Sequence, residues 1–156
     1  MAVNQDLVGR EFPPTAPYLV GREKVREFAR AVFADAPQHT DVAAAQALGF
    51  ADVVAPPTFA MVIQDQTLQQ LLAQEDSGIV LARTIHAEQR FTYTRPIVAG
   101  DELTAQLRVT GIRMMGGNAM ITSEAEITDE AGAHVVTATS VLLVGAEQST
   151  DEGEAA

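Results

Sequence analysis

The sequence has no cysteine, so it cannot form a disulfide, use a thiol nucleophile or bind a metal through thiolates. It is also short of bases. Lys and Arg number 10 against 21 Asp and Glu, a formal charge of −11 with a pI near 4.5. Non-specific nucleic-acid binding needs a basic footprint, and this chain carries the opposite sign. No apolar run approaches the roughly 18 residues of a spanning helix, and even VVTATSVLLVGA is broken by threonines and serine, so no membrane segment is expected. MAVNQDLVGR, at the start, lacks the basic and apolar regions of a secretory signal, which makes the cytoplasm the default expectation. There is no internal repeat. Three histidines remain for acid–base chemistry.

What is present suits a folded chain. With 156 residues there is room for one ordinary domain and a real core. A hydrophobic content of 47% against 20% charged residues is too apolar for a disordered chain. The exception is the end, EQSTDEGEAA, which holds four acids, no base and no large apolar side chain. The expectation is one domain over 1–146 and a disordered acidic tail over 147–156.

Residues 21–33 place Val25, Phe28, Ala29 and Val32 on one helical stripe, predicting a short surface helix. Asp41 is suited to cap a second, two-turn helix over DVAAAQAL, which Gly49 ends in the left-handed region. Pro56-Pro57-Thr58 then opens a longer segment, with a helix expected from near Thr58 to near Ala73. Its first turns, Phe59 to Ile63, are apolar on every side, so that helix is buried.

From Thr84 the period changes to two. Ile85, Ala87, Gln89, Phe91 and Tyr93 alternate against His86, Glu88, Arg90 and Thr92. The runs Leu103 to Val109 and Ala119 to Ile127 alternate likewise, and Gly116-Gly117 and Asp129 to Gly132 supply turns for antiparallel hairpins. The last run, HVVTATSVLLV, is apolar on both faces towards its end. A buried helix followed by an antiparallel meander that wraps it is an α+β, single hot-dog fold. One helix leaves the other face of the sheet bare, so dimerisation is expected to cover part of 135–144.

Three stretches carry a family likeness: FARAVFADAPQHTD (28–41), GFADVVAPPTF (49–59) and FTYTRPIVAGDELTAQ (91–106). In that order and spacing they resemble the MaoC-like (R)-specific enoyl-thioester hydratases and 3-hydroxyacyl-thioester dehydratases. GREKVREFARAV, VVAPPTF and RPIVAGDELT are similar to the actinobacterial HadA and HadC type of subunit. The likeness spans about residues 4–146. It implies addition or loss of water across C2–C3 of an acyl thioester on coenzyme A or acyl carrier protein, with no cofactor. An Asp and a His on a D-x-N-P-x-H segment do the proton work in catalytic members. Here Pro37 and His39 fit that pattern, but Ala34 stands at the Asp position and Ala36 at the Asn position. Catalytic members also start the buried helix with a His-Gly step whose N–H holds the thioester oxygen. Pro56-Pro57 takes that place, and proline has no N–H, so Thr58 or another group has to donate.

The candidate catalytic residues are therefore His39 and Asp35. Histidine exchanges its proton nearest neutral pH, yet a solvated loop histidine fits the same position. Asp35, one place late in the motif, supplies a carboxylate or simply makes a turn, and the turn reading carries more weight. Asp41 is explained as a cap. Pro57, Thr58, Phe59 and Val62 are candidates for acyl binding, although a core helix uses the same residues. His86 and His134 have no partners at ligand spacing, and no metal is assigned.

The expected function is an acyl-thioester-binding subunit with an incomplete dyad, paired with a MaoC-like catalytic chain. A self-sufficient homodimeric hydratase using His39 is one alternative, and a non-catalytic acyl-thioester binder is the other. In all three the partners are an acyl-CoA or acyl-ACP and a second hot-dog chain, as homodimer or heterodimer.

Overall fold

In the computed structural model, which describes residues 2–146, these patterns become three α-helices and five strands. The expected acidic tail, 147–156, lies outside the described residues. Helix α1 (Arg22–Ala31) buries Val25 and Ala29 and half-buries Phe28, as its stripe predicts. Val32 leaves the stripe because the helix has ended there. Phe33 beside it takes φ +56° and stands 85% exposed. Helix α2 (Val42–Ala47) begins at Asp41, whose carboxylate accepts from Ala43 N–H at 2.8 Å. Gly49 follows with φ +90°.

A 3₁₀ turn, Pro57–Phe59, leads into α3 (Ala60–Leu72). Phe59, Ala60 and Ile63 are fully buried, which makes this the central helix expected from 58 to 73. Thr58 is exposed, and no side-chain cap bond closes the helix start.

The strands are β1 (Tyr18–Leu19), β2 (Thr84–Tyr93), β3 (Glu102–Met115), β4 (Asn118–Asp129) and β5 (His134–Val144). They form one antiparallel sheet in the order β1-β3-β4-β5-β2. Alternation holds over 103–109 of β3, up to a bulge at Thr110, and over 119–127 of β4: Leu103, Ala105, Leu107, Val109, Ala119, Ile121, Ala125 and Ile127 are buried under α3. Gly116-Gly117, both at positive φ, turn the β3–β4 hairpin.

Two bulges correct the reading of the other strands. In β2 the register slips at Ala87, so Ile85 pairs with Leu143 and is 63% exposed, whereas Gln89, Phe91 and Tyr93 lie opposite Ser140, Ala138 and Val136. Ile85 thus leaves the face it shares with Phe91 in a strict period of two, and His86 moves to the other. In β5 the extra residue is Val135, and both Val135 and Val136 are buried. Part of the two-faced apolarity of that strand is therefore this bulge.

The N-terminal arm, which has no periodicity to read, covers the far edge. Gly9, Phe12 and Thr15 donate backbone N–H bonds to Val109, Leu107 and Ala105, and Leu7 and Phe12 are buried. Strand β2 is left as the other edge of the sheet.

Candidate functional site

Three loop segments, remote in sequence, are laced together at the start of α3. Val54 N–H donates to Gln38 O at 2.9 Å, Ala55 N–H to Ile97 O at 2.8 Å, and Ala99 N–H to Val53 O at 3.0 Å. The 37–39 segment is itself fixed as a 3₁₀ turn. Pro37 sets its first position, and Pro37 O accepts from both Thr40 and Asp41 N–H. A cleft of about 490 Å³ opens where these segments meet, walled by His39, Val54, Pro57, Tyr93, Arg95 and Ile97 among others.

His39 is 9% exposed, with Nδ1 2.6 Å from Val54 O. A carbonyl oxygen only accepts, so Nδ1 carries the proton of the neutral ring, and Nε2 keeps the lone pair. The geometry thus presents a basic nitrogen held by its other edge, the arrangement a general base needs. Asp35 does not join it: that residue is exposed and does not line the cleft. Ala34 is half-buried, with its N–H on Ala29 O, and Asp41 is engaged as the cap of α2.

Of the residues singled out for acyl binding, Pro57 lines the cleft and Thr58 is exposed beside it. Phe59 is fully buried and meets Phe28 edge-on at 5.2 Å, and Val62 packs half-buried on the same cluster. Phe59 N–H is already given to Pro56 O.

Two residues of the cleft went unread in the sequence. Tyr93 O–H donates to Pro57 O at 2.6 Å, tying strand β2 to the start of α3. Burial pushes its phenol up to about 12, against an opposing pull from Ala60 N–H. Arg95 donates to Asp101 at 2.8 Å and to Asp129 at 3.3 Å, and its pKa is raised, first by the hydrogen bond it donates to Asp101. Asp129 is lowered, first by Ala133 N–H and then by Arg95. Asp101 also accepts from Val98 N–H, so the Gly100-Asp101 turn anchors the 95–101 loop. Arg95 therefore stiffens the cleft and brings it little net charge. The position of Tyr93 on the alternating face of β2 was the available signal, but alternation says "inward" and not "onto a carbonyl".

His86 is exposed, and His134 is held between Thr94 Oγ1 (2.6 Å) and Thr137 Oγ1 (2.8 Å). Among the described residues no helix is long and apolar enough to cross a membrane.

A family profile described as FAS1-like, dehydratase domain region, matches residues 6–138. A relative named UPF0336 protein, from Clavibacter michiganensis subsp. michiganensis, is 62% identical over 144 residues, covering 92% of this chain and 97% of that one. The C-terminally truncated HadBC (3R-hydroxyacyl-ACP dehydratase) complex from Mycobacterium tuberculosis contains a chain that superposes with a TM-score of 0.81 at 31% identity, over 88% of this chain and 97% of that one. A MaoC-like dehydratase gives a TM-score of 0.76 at 39% identity over 91% of this chain, which spans only 43% of that one. The chain belongs to the FAS1-like dehydratase domain family, among the MaoC-like hot-dog dehydratases and hydratases.

Proposed function

We propose that this chain is the acyl-thioester-binding subunit of a (3R)-hydroxyacyl-thioester dehydratase or enoyl-thioester hydratase, paired with a MaoC-like chain that supplies the missing carboxylate. One observation carries the reading: the cleft around His39 has no Asp or Glu in its wall. Hydration forms a C3–O bond from water and delivers a proton to C2, and dehydration runs the same steps in reverse. One imidazole without a carboxylate lacks part of the acid–base catalysis, a deficit of roughly 10²- to 10⁴-fold. Pro57 and Thr58 border the thioester, with the Thr58 N–H as donor where Pro57 has none. Val62 and Phe59 shape the apolar wall behind. The chemistry requires no cofactor.

Pairing is supported by the β2 edge, which bears exposed Ile85 with exposed Leu81 in the turn just before it, and by a superposable chain that belongs to a complex. The basic Nε2 of His39 favours a second reading, a self-sufficient homodimeric hydratase that uses His39 without a carboxylate in the cleft.

Crotonyl-thioester turnover, measured on the chain alone and with a MaoC-like partner, tests both. Slow turnover alone and a large gain with the partner is the expected result. Ala34→Asp is expected to raise the rate only together with Ala36→Asn. Turnover of the lone chain at tens per second, abolished by His39→Ala, would establish the homodimeric hydratase instead.

A further inference from the structure

Helix α1 ends in a closed turn. Phe33 N–H donates to Arg30 O at 3.3 Å and Ala34 N–H to Ala29 O at 2.9 Å, a pair of bonds that places a left-handed residue at position 33. Phe33 accordingly has φ +56°. The other positions of positive φ among the described residues, from Gly9 to Gly132, are all glycine, which takes this conformation without a steric penalty. A phenylalanine has its Cβ pressed towards the following carbonyl, so the backbone is strained at this one place. Nothing in its own chain compensates. The ring is 85% exposed, more than any other exposed large apolar side chain of the described residues, the next being Leu81 at 70%, and Val32 beside it is 43% exposed. A single apolar side chain on a surface needs no explanation, but one held in water on strained backbone does. Folding alone favours glycine or asparagine here.

The strained residue stands at the root of the segment that walls the cleft. Gln38 and His39 line it, and Val54 N–H pins Gln38 O at 2.9 Å, so the segment is fixed at both ends. Five residues separate Phe33 from Gln38, a reach of at most about 17 Å, which the turns at 33–34 and 37–39 shorten. A chain that brings a carboxylate to His39 has to cover the rim of the cleft. An interface of ordinary size takes about 800 Å² on each side, a disc of about 16 Å radius, and a disc centred on the cleft therefore extends to Phe33.

We infer that Phe33 is an aromatic anchor that the MaoC-like partner chain buries when it pairs with this one. The inference rests on the pairing reading above and adds to it a contact on the cleft side of the molecule, apart from the β2 edge. Aromatic side chains are enriched in protein interfaces, and burial of the ring in the partner removes from water the area that the lone chain leaves there. The closed turn fixes the backbone under the ring beforehand, so little backbone freedom is lost at this point on pairing.

The test titrates the full chain with the MaoC-like partner that gives the turnover gain described above. Phe33→Asn removes the ring and installs a residue that accepts left-handed backbone. The partner concentration for half-maximal gain is expected to rise about 10- to 100-fold with the plateau unchanged, while Tm of the lone chain rises by about 2–4 °C. Phe33→Leu, which keeps an apolar side chain and the strain, is expected to retain most of the affinity and to leave Tm unchanged. These opposite signs in one variant are what a merely structural phenylalanine does not produce. An unshifted half-point in Phe33→Asn overturns the inference. So does a fall in the Tm of the lone variant, which would mean that the ring packs within its own chain. A lower plateau at an unshifted half-point also overturns it, and assigns Phe33 to the substrate or its carrier instead. Absence of any gain with the wild-type chain overturns the pairing reading itself, which separates the two failures.

Discussion

Removing one oxygen at Tyr93 tests the join between the sheet and the start of α3. The neutral phenol donates to Pro57 O at 2.6 Å, and burial raises its pKa from 10.0 to about 12. Because the folded protein holds this proton more tightly than the unfolded chain, the associated stability is complete below pH 10. It is lost as the pH rises through about 12. The gap corresponds to at most about 3 kcal/mol, and water reaching the half-buried ring reduces it to about 1–2 kcal/mol. Tyr93→Phe keeps the ring packing and removes the bond, at a cost of about 1 kcal/mol at neutral pH. For a chain of this size that lowers Tm by about 2–4 °C. Urea unfolding of both proteins from pH 8 to 12 reads the effect: wild type starts more stable, and the two curves converge at the alkaline end. The phenolate absorption of wild type minus variant gives the midpoint directly. A midpoint near 10 would refute the burial of this phenol, and equal stability of the two proteins at neutral pH would refute the idea that it is held as a donor.

Two further substitutions probe the scaffold. Asp101→Asn removes a carboxylate that holds both Arg95 and Val98 N–H, so the urea midpoint is expected to fall by the equivalent of about 1.5–3 kcal/mol. Gly78→Ala drives a Cβ into the backbone of Ala2 at φ +69°, and thermal melting is expected to show a loss of about 1–3 kcal/mol as the N-terminal arm is pushed away. An unchanged melting temperature would mean that the arm yields without penalty.

The regular parts of the fold were legible because one physical signal governs them. Over 103–109 of β3 and 119–127 of β4 every second residue is buried, and at the start of α3 Phe59, Ala60 and Ile63 are fully buried with Met61 and Val62 half-buried between them. Periodicity fails where one residue is inserted, and Ala87 and Val135 each reverse the faces beyond them with no mark in the sequence. The N-terminal arm was invisible for a different reason, since Leu7 and Phe12 are buried by irregular backbone bonds to β3 and not by a repeating stripe. At the site, the motif drew attention to His39, but its Nδ1 partner is a backbone carbonyl, which no residue type announces. Tyr93 and Arg95 act through partners 36 and 34 residues away, Pro57 and Asp129, and composition or spacing does not encode such pairings.

The lacing of 38, 53–55 and 97–99 also determines where this chain can grow. Surface loops ordinarily accept insertions, and the link between α2 and α3 reads as one. Yet Val54 accepts from His39 through its carbonyl while its N–H is given to Gln38, and the residues on either side are bonded to the 97–99 loop. One added residue there would pull Val54 and Ala55 out of register and turn the imidazole away from its carbonyl. Around Gly49, where the backbone is exposed and a Cβ meets nothing within 4 Å, the same addition leaves the site untouched. Length variation among functional homologues should therefore gather before Asp52 and stop short of Val53.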